Sequence, residues 1–110
     1  MTKPYNGIWP VAPAAFHPNG SLDMDGNRRV LDCMIDQQVD GICILANYSE
    51  QFLLSDAERD QLTRLSIEHI AGRVPIIVTI SHFATDIVVE RAHQCKTLGA
   101  DIVMMMAPYH

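Results

Sequence analysis

The chain has 110 residues, with 8 Lys and Arg against 13 Asp and Glu, giving a net charge of −5 at pH 7 and an isoelectric point near 5.3. That balance argues against nucleic acid and against anionic membrane as partners, and a hydrophobic fraction of 48% argues against disorder. The length allows one domain with a modest core, and no apolar run approaches the roughly 20 residues of a membrane span. The opening Met1-Thr2-Lys3-Pro4-Tyr5 has no apolar signal core. Cys33, Cys43 and Cys95 are odd in number, lack C-x-x-C spacing and sit within apolar patterns. They read as reduced core thiols, which predicts a cytoplasmic protein.

Four apolar runs begin near Ile8, Ile42, Ile76 and Ile102, at spacings of 34, 34 and 26 residues. The first, Gly7 to Val11, leads through a Pro- and Ala-rich stretch into His17-Pro18-Asn19-Gly20. Asn-Gly is a turn signal because both residues tolerate positive φ. Asp23 and Asp25 then supply the negative charge that a helix's first turn favours, and Val30, Leu31, Met34 and Ile35 form one stripe.

The second run, Gly41 to Leu45, is apolar on both alternating faces, as expected of a strand covered on both sides in a parallel sheet. After a polar loop, Ser55-Asp56-Ala57-Glu58 reads as a capping box opening a helix to about Ala71, with Leu62, Leu65 and Ile70 inward and Gly72 at its end. The third run is Pro75 to Ile80. Thr85 is the expected cap of a third helix with the stripe Ile87, Val88, Ala92, Cys95 and Leu98, and Gly99 fits its left-handed end. The fourth run is Asp101 to Ala107, whose Met104, Met105 and Met106 read as core filler. Its entry, Gly99-Ala100-Asp101-Ile102, faintly repeats Gln38-Val39-Asp40-Gly41-Ile42, so Gln38 stands where a glycine is expected and its backbone is predicted to be strained.

Strands alternating with helices at this spacing predict an α/β fold with four parallel strands and three helices. A sheet that ends on a strand lacks its covering helix, so residues 1–110 are predicted to be the N-terminal half of a single (β/α)8 TIM-barrel catalytic domain. Sites in such sheets form on the loops beyond the carboxyl ends of the strands. The richest of these loops holds Asn47, Tyr48, Ser49 and Glu50: an amide, a phenol, a hydroxyl and a carboxylate within four positions. Such a cluster can hold a carboxylate and relay protons, or can simply cap the next helix. A metal triad of His82, His110 and Glu50 is a rival reading, with no i, i+4 pair to fix its geometry.

The loop Ala46-Asn47-Tyr48-Ser49-Glu50, followed by Leu54-Ser55-Asp56-Ala57-Glu58-Arg59, Gly72-Arg73-Val74-Pro75-Ile76 and Pro108-Tyr109-His110, resembles the dihydrodipicolinate synthase and N-acetylneuraminate lyase family. The likeness covers nearly the whole chain. It implies a (β/α)8 barrel and a Schiff base between a lysine and a small 2-oxo acid, without metal or cofactor, in a homo-oligomer, a tetramer when intact. By the same resemblance Asn47, Tyr48 and Ser49 bind substrate, Glu50 braces its loop, and Tyr109 and His110 serve pocket polarity and proton transfer. Ala46, Ser49 and His110 depart from the common Gly-x-x-Gly-Glu and Pro-Tyr-Tyr patterns and are similar to the sugar-acid dehydratases of the family. That variant implies dehydration of 2-keto-3-deoxy-L-arabinonate to α-ketoglutarate semialdehyde. Lys3 and Lys96 do not fall at the end of a strand, so the nucleophilic lysine is expected beyond His110.

Overall fold

The computed structural model describes residues 5–106. Its elements alternate: α1 (Met24–Asp36), β1 (Ile42–Ile44), two 3-10 turns (Asn47–Ser49 and Gln51–Leu53), α2 (Asp56–Ile70), β2 (Ile76–Thr79), α3 (Thr85–Leu98) and β3 (Ile102–Met104). The strands are parallel in the order β1-β2-β3, with Ile42 opposite Ile76 and Ile77 opposite Ile102. Ile42, Ile44, Ile76, Val78 and Ile80 pack with Leu31, Leu62, Leu65 and Ile70 into one core beneath the helices. Cys43, Ile77 and Thr79 alternate to the opposite face, where Cys43 Sγ lies 4.0 Å from Thr79 Oγ1.

The first predicted strand is not one. Residues near Val11 make a single parallel bridge to Cys43, with Cys43 N–H donating to Pro10 O and Ala12 N–H to Cys43 O. Extending that ladder one step back requires an N–H from Pro10, which has none. The run still borders β1, because Asp40 N–H donates to Ile8 O at 3.0 Å.

Local chemistry accounts for the helix ends. Asp23 caps α1, its Oδ1 accepting from Gly26 N at 2.8 Å. The capping box at Ser55 and Glu58 forms in both directions, at 3.1 and 2.9 Å. Thr85 does not cap α3; Ala84 holds that position without a side-chain bond, and its own N–H donates to His82 Nδ1. The repeat is structural: Gln38 and Gly99 both lie in the left-handed region, at φ 63° and 105°. The Asn-Gly turn closes as expected, with Gly20 N–H donating to His17 O and Gly20 at φ 92°.

Candidate active site

β1 ends abruptly. Leu45, wholly buried, adopts φ 60°, and Glu50 adopts φ 60° five residues later. Left-handed backbone is costly for residues with a Cβ, so two such positions bracketing one loop mark a shape held by its surroundings. Between them the chain coils into the first 3-10 turn, with Ser49 N–H donating to Ala46 O and Glu50 N–H to Asn47 O. Glu50 is exposed and joins the two turns through its backbone, its carbonyl accepting from Leu53 N–H at 2.9 Å.

This coil sorts the predicted residues. Tyr48 is 70% exposed and Asn47 is exposed, whereas Ser49 is buried and its hydroxyl donates to Ala12 O. That bond ties the second loop to the first. The first loop is held from its other side by Asn27, which is buried: its Oδ1 accepts from Ala15 N, and its Nδ2 donates to Ala15 O and Asp23 O. Gln51, also buried, donates from Nε2 to Asn47 Oδ1 at 2.7 Å and approaches Met106 Sδ at 3.3 Å.

The end of β2 is gripped from behind by two arginines. Arg59 on α2 donates from Nη2 to Thr79 O at 2.8 Å, and Arg91 on α3 donates from Nη1 to Ser81 O at 2.6 Å. Burial, reinforced by repulsion from Arg91, pulls the Arg59 guanidinium down to about 10, so it stays charged at neutral pH. Ser81 in turn accepts from Met106 N–H at 2.7 Å, which fixes the chain leaving β3. His82 Nδ1 is engaged by Ala84 N–H, which leaves the ring proton of the neutral form on Nε2. No group of three His, Cys, Asp or Glu able to hold a metal exists among the described residues. Tyr109 and His110 lie outside the described residues, and so does the metal triad that invokes His110.

Asn47, Tyr48, Ser49 and Glu50 therefore occupy one loop at the carboxyl end of β1, tied to the first loop by Ser49 and braced within by Gln51. Sequence reasoning missed Asn27, Gln51, Arg59 and Arg91. Arg59 carried a signal: with Leu62, Thr63, Ser66 and Ile70 it lies on the buried face of α2, a polar residue in an inward stripe. Lys96 is exposed on α3, away from the strand ends. No described helix is long and apolar enough to cross a membrane.

Comparison with known proteins agrees with this architecture. The chain is 51% identical to an L-2-keto-3-deoxyarabonate dehydratase of Azospirillum brasilense, across 99% of its own length and 35% of that protein's. It is 33% identical to a 4-hydroxy-tetrahydrodipicolinate synthase of Polynucleobacter asymbioticus, across 98% and 35%. The crystal structure of N-acetylneuraminate lyase from Mycoplasma synoviae superposes with a TM-score of 0.91 at 30% identity, covering 96% of this chain and 37% of that one. The chain thus spans about a third of the length of its curated relatives, and its parallel α/β fold is that of part of a (β/α)8-barrel lyase. The Dihydrodipicolinate synthetase family profile matches residues 4–110, and the chain belongs to that family.

Proposed function

We propose that the intact protein is a lyase that binds a 2-oxo sugar acid as a Schiff base and dehydrates 2-keto-3-deoxy-L-arabinonate to α-ketoglutarate semialdehyde. The observation that supports this most is the 51% identity to an L-2-keto-3-deoxyarabonate dehydratase over nearly the whole chain, the loop Ala46 to Gln51 included. In this reading residues 1–110 are the N-terminal part of a single catalytic domain, and the lysine comes from outside them. The protonated imine acts as an electron sink beside the substrate carboxylate. A C3 proton is lost and the C4 hydroxyl leaves as water, giving a C3–C4 alkene conjugated with the imine. A C5 proton is then lost and C3 is protonated, the resulting C4–C5 enol becomes the aldehyde, and water hydrolyses the imine to free the lysine.

In this reading Tyr48 and Asn47, exposed at the strand ends, meet the carboxylate first. Ser49 joins once its hydroxyl turns from Ala12. Donors are required there because an unpaired buried carboxylate is costly. Tyr109 and His110 carry protons, and Glu50 braces the loop between its two turns. The reaction needs no metal or organic cofactor. The working form is a cytoplasmic homo-oligomer, a tetramer.

The test is to incubate the full-length enzyme with 2-keto-3-deoxy-L-arabinonate and borohydride, then to identify products without it. A trapped lysine adduct and the semialdehyde are expected. Pyruvate and glycolaldehyde in place of the semialdehyde would make it an aldolase, the reading next in line given its synthase relatives. Activity abolished by EDTA, with no adduct, would overturn the Schiff-base mechanism.

A further inference from the structure

The ladder between β2 and β3 gives way to a side chain where β3 ends. Ile80 N–H donates to Met104 O at 2.9 Å, and in a parallel pair the next bond returns from Met106 N–H to Ile80 O. Met106 N–H donates to Ser81 Oγ instead, at 2.7 Å. Ser81 is 1% exposed, and its own carbonyl accepts from Arg91 Nη1 at 2.6 Å, while Arg91 Nη2 lies 3.3 Å from Asp56 Oδ1. Met106 is tethered a second time through its sulfur, which Gln51 Nε2 approaches at 3.3 Å. The chain thus leaves β3 along a path set by one buried hydroxyl, and that hydroxyl is braced from α3.

We infer that Ser81 is a positioning residue for Tyr109 and His110: by replacing a ladder carbonyl as the acceptor for Met106, it sets the direction in which the chain continues toward them. The inference rests on the proposed role of Tyr109 and His110 in proton transfer. Those residues follow Met106 by three and four positions, at most about 14 Å of extended chain, so a displaced acceptor at Ser81 displaces both together. Proton transfer is the step that suffers most, since a misplacement of about 1 Å costs up to about a hundredfold in rate. Ser81 is too buried to meet substrate and acts through the residues it places. Removing its oxygen leaves Met106 N–H to close on Ile80 O, one residue earlier, and the exit then follows the sheet.

The experiment is steady-state turnover of 2-keto-3-deoxy-L-arabinonate by the full-length wild type, Ser81→Ala and Ser81→Thr. Borohydride added during turnover counts the sites held as imine in each. Ser81→Ala should lower kcat about tenfold or more with KM within about threefold. Its trapped fraction should not fall, because the imine still forms and only the proton transfer after it is slowed. Ser81→Thr keeps the oxygen and should recover most of the lost kcat. A kcat that falls only in proportion to the trapped sites marks a purely structural role and overturns the inference. So does a defect confined to KM, or an equal loss in a Ser81→Thr enzyme of wild-type stability. Should neither variant fold, Arg91→Met decides: it frees the Ser81 carbonyl from α3 and should show the same lowered kcat, and wild-type kcat there refutes the idea. A wild-type enzyme that neither traps nor turns over substrate fells the proposed function and this inference with it. A wild type that traps, beside a Ser81→Ala enzyme of normal kcat, fells the inference alone.

Discussion

Asn27 carries the first loop on its amide, pairing with both the N–H and the C=O of Ala15 as a neighbouring strand would, and with Asp23 O as well. Its truncation orphans Ala15 N–H in a part-buried setting. Asn27→Ala in the intact protein is expected to lower unfolding stability by about 2–4 kcal/mol, read from urea titration; a loss under about 0.5 kcal/mol would show that water replaces the amide. Residue 27 stands at the head of the α1 stripe with Val30, Leu31 and Met34, so a polar residue in an apolar slot was the available clue. For Ser49 and Gln51 no comparable clue exists. In an irregular loop no periodicity separates the buried polar residue from the exposed one, and the two 3-10 turns that bury them follow from left-handed Leu45 and Glu50, which composition does not announce. Gly41 is a second packing-critical position, since a Cβ there would run into the Trp9 ring. Gly41→Ala should cost about 1–3 kcal/mol, with a change in Trp9 fluorescence reporting the displaced ring.

Between elements, the two halves of the repeat do the same job. Asp40 N–H donates to Ile8 O while Asp40 Oδ2 accepts from Ile8 N–H at 2.8 Å. Asp101 N–H donates to Ile76 O, and Asp101 Oδ2 accepts from Ile76 N–H at 2.9 Å. Each aspartate thus registers its strand against the preceding extended run, which for Asp40 is the segment at Ile8 and for Asp101 is β2. Because the Asp101 bond is part-buried and the Asp40 bond exposed, Asp101→Ala should cost about 1–3 kcal/mol and Asp40→Ala less, an order that chemical denaturation will test. The repeat and the capping box were legible because both depend on residues adjacent in sequence. The failure of the first strand was legible only in part: Pro10 is visible, but which ladder bond it deletes depends on pairing with Cys43. A second link joins α1 to α2, where His69 Nε2 meets Asp32 Oδ1 at 2.8 Å and Arg73 Nη2 lies 3.4 Å from the same oxygen. The His69 hydrogen bond, aided by both positive charges against a smaller opposing effect of desolvation, holds the Asp32 carboxyl below its usual value. A depressed carboxyl stabilises the fold above its unfolded pKa, and the contribution is lost as pH falls through the lower folded value. Acid unfolding below about pH 4 should therefore be shallower in Asp32→Asn than in wild type. Superimposable acid limbs would remove Asp32 from the linkage.

At the scale of the molecule, run spacing was enough to announce parallel pairing, because a helix must cross back between neighbouring parallel strands. It also placed Asn47 to Glu50 beyond a strand's carboxyl end, where the structure has them. What it left out is how unevenly the sheet is covered. Opposed residues Ile44 and Val78 are 2% and 1% exposed, whereas Val103, opposite Val78 on β3, is 41% exposed, and Met105 is 64% exposed. β3 pairs only with β2 among the described residues, so its outer edge offers unsatisfied N–H and C=O groups beside that apolar surface. An edge strand of this composition is a template for pairing with another chain. Residues 1–110 expressed by themselves should accordingly associate, with light scattering giving a mass above the 12.3 kDa of one chain and rising with concentration. Val103→Lys places a charge on the exposed apolar face of that edge and should shift the distribution toward monomer. A monodisperse 12.3 kDa species at every concentration would mean that the exposed β3 edge is protected within this chain alone. Association unchanged by Val103→Lys would locate the contact elsewhere, the exposed Phe52 and Phe83 rings at the strand ends being the next surface to alter.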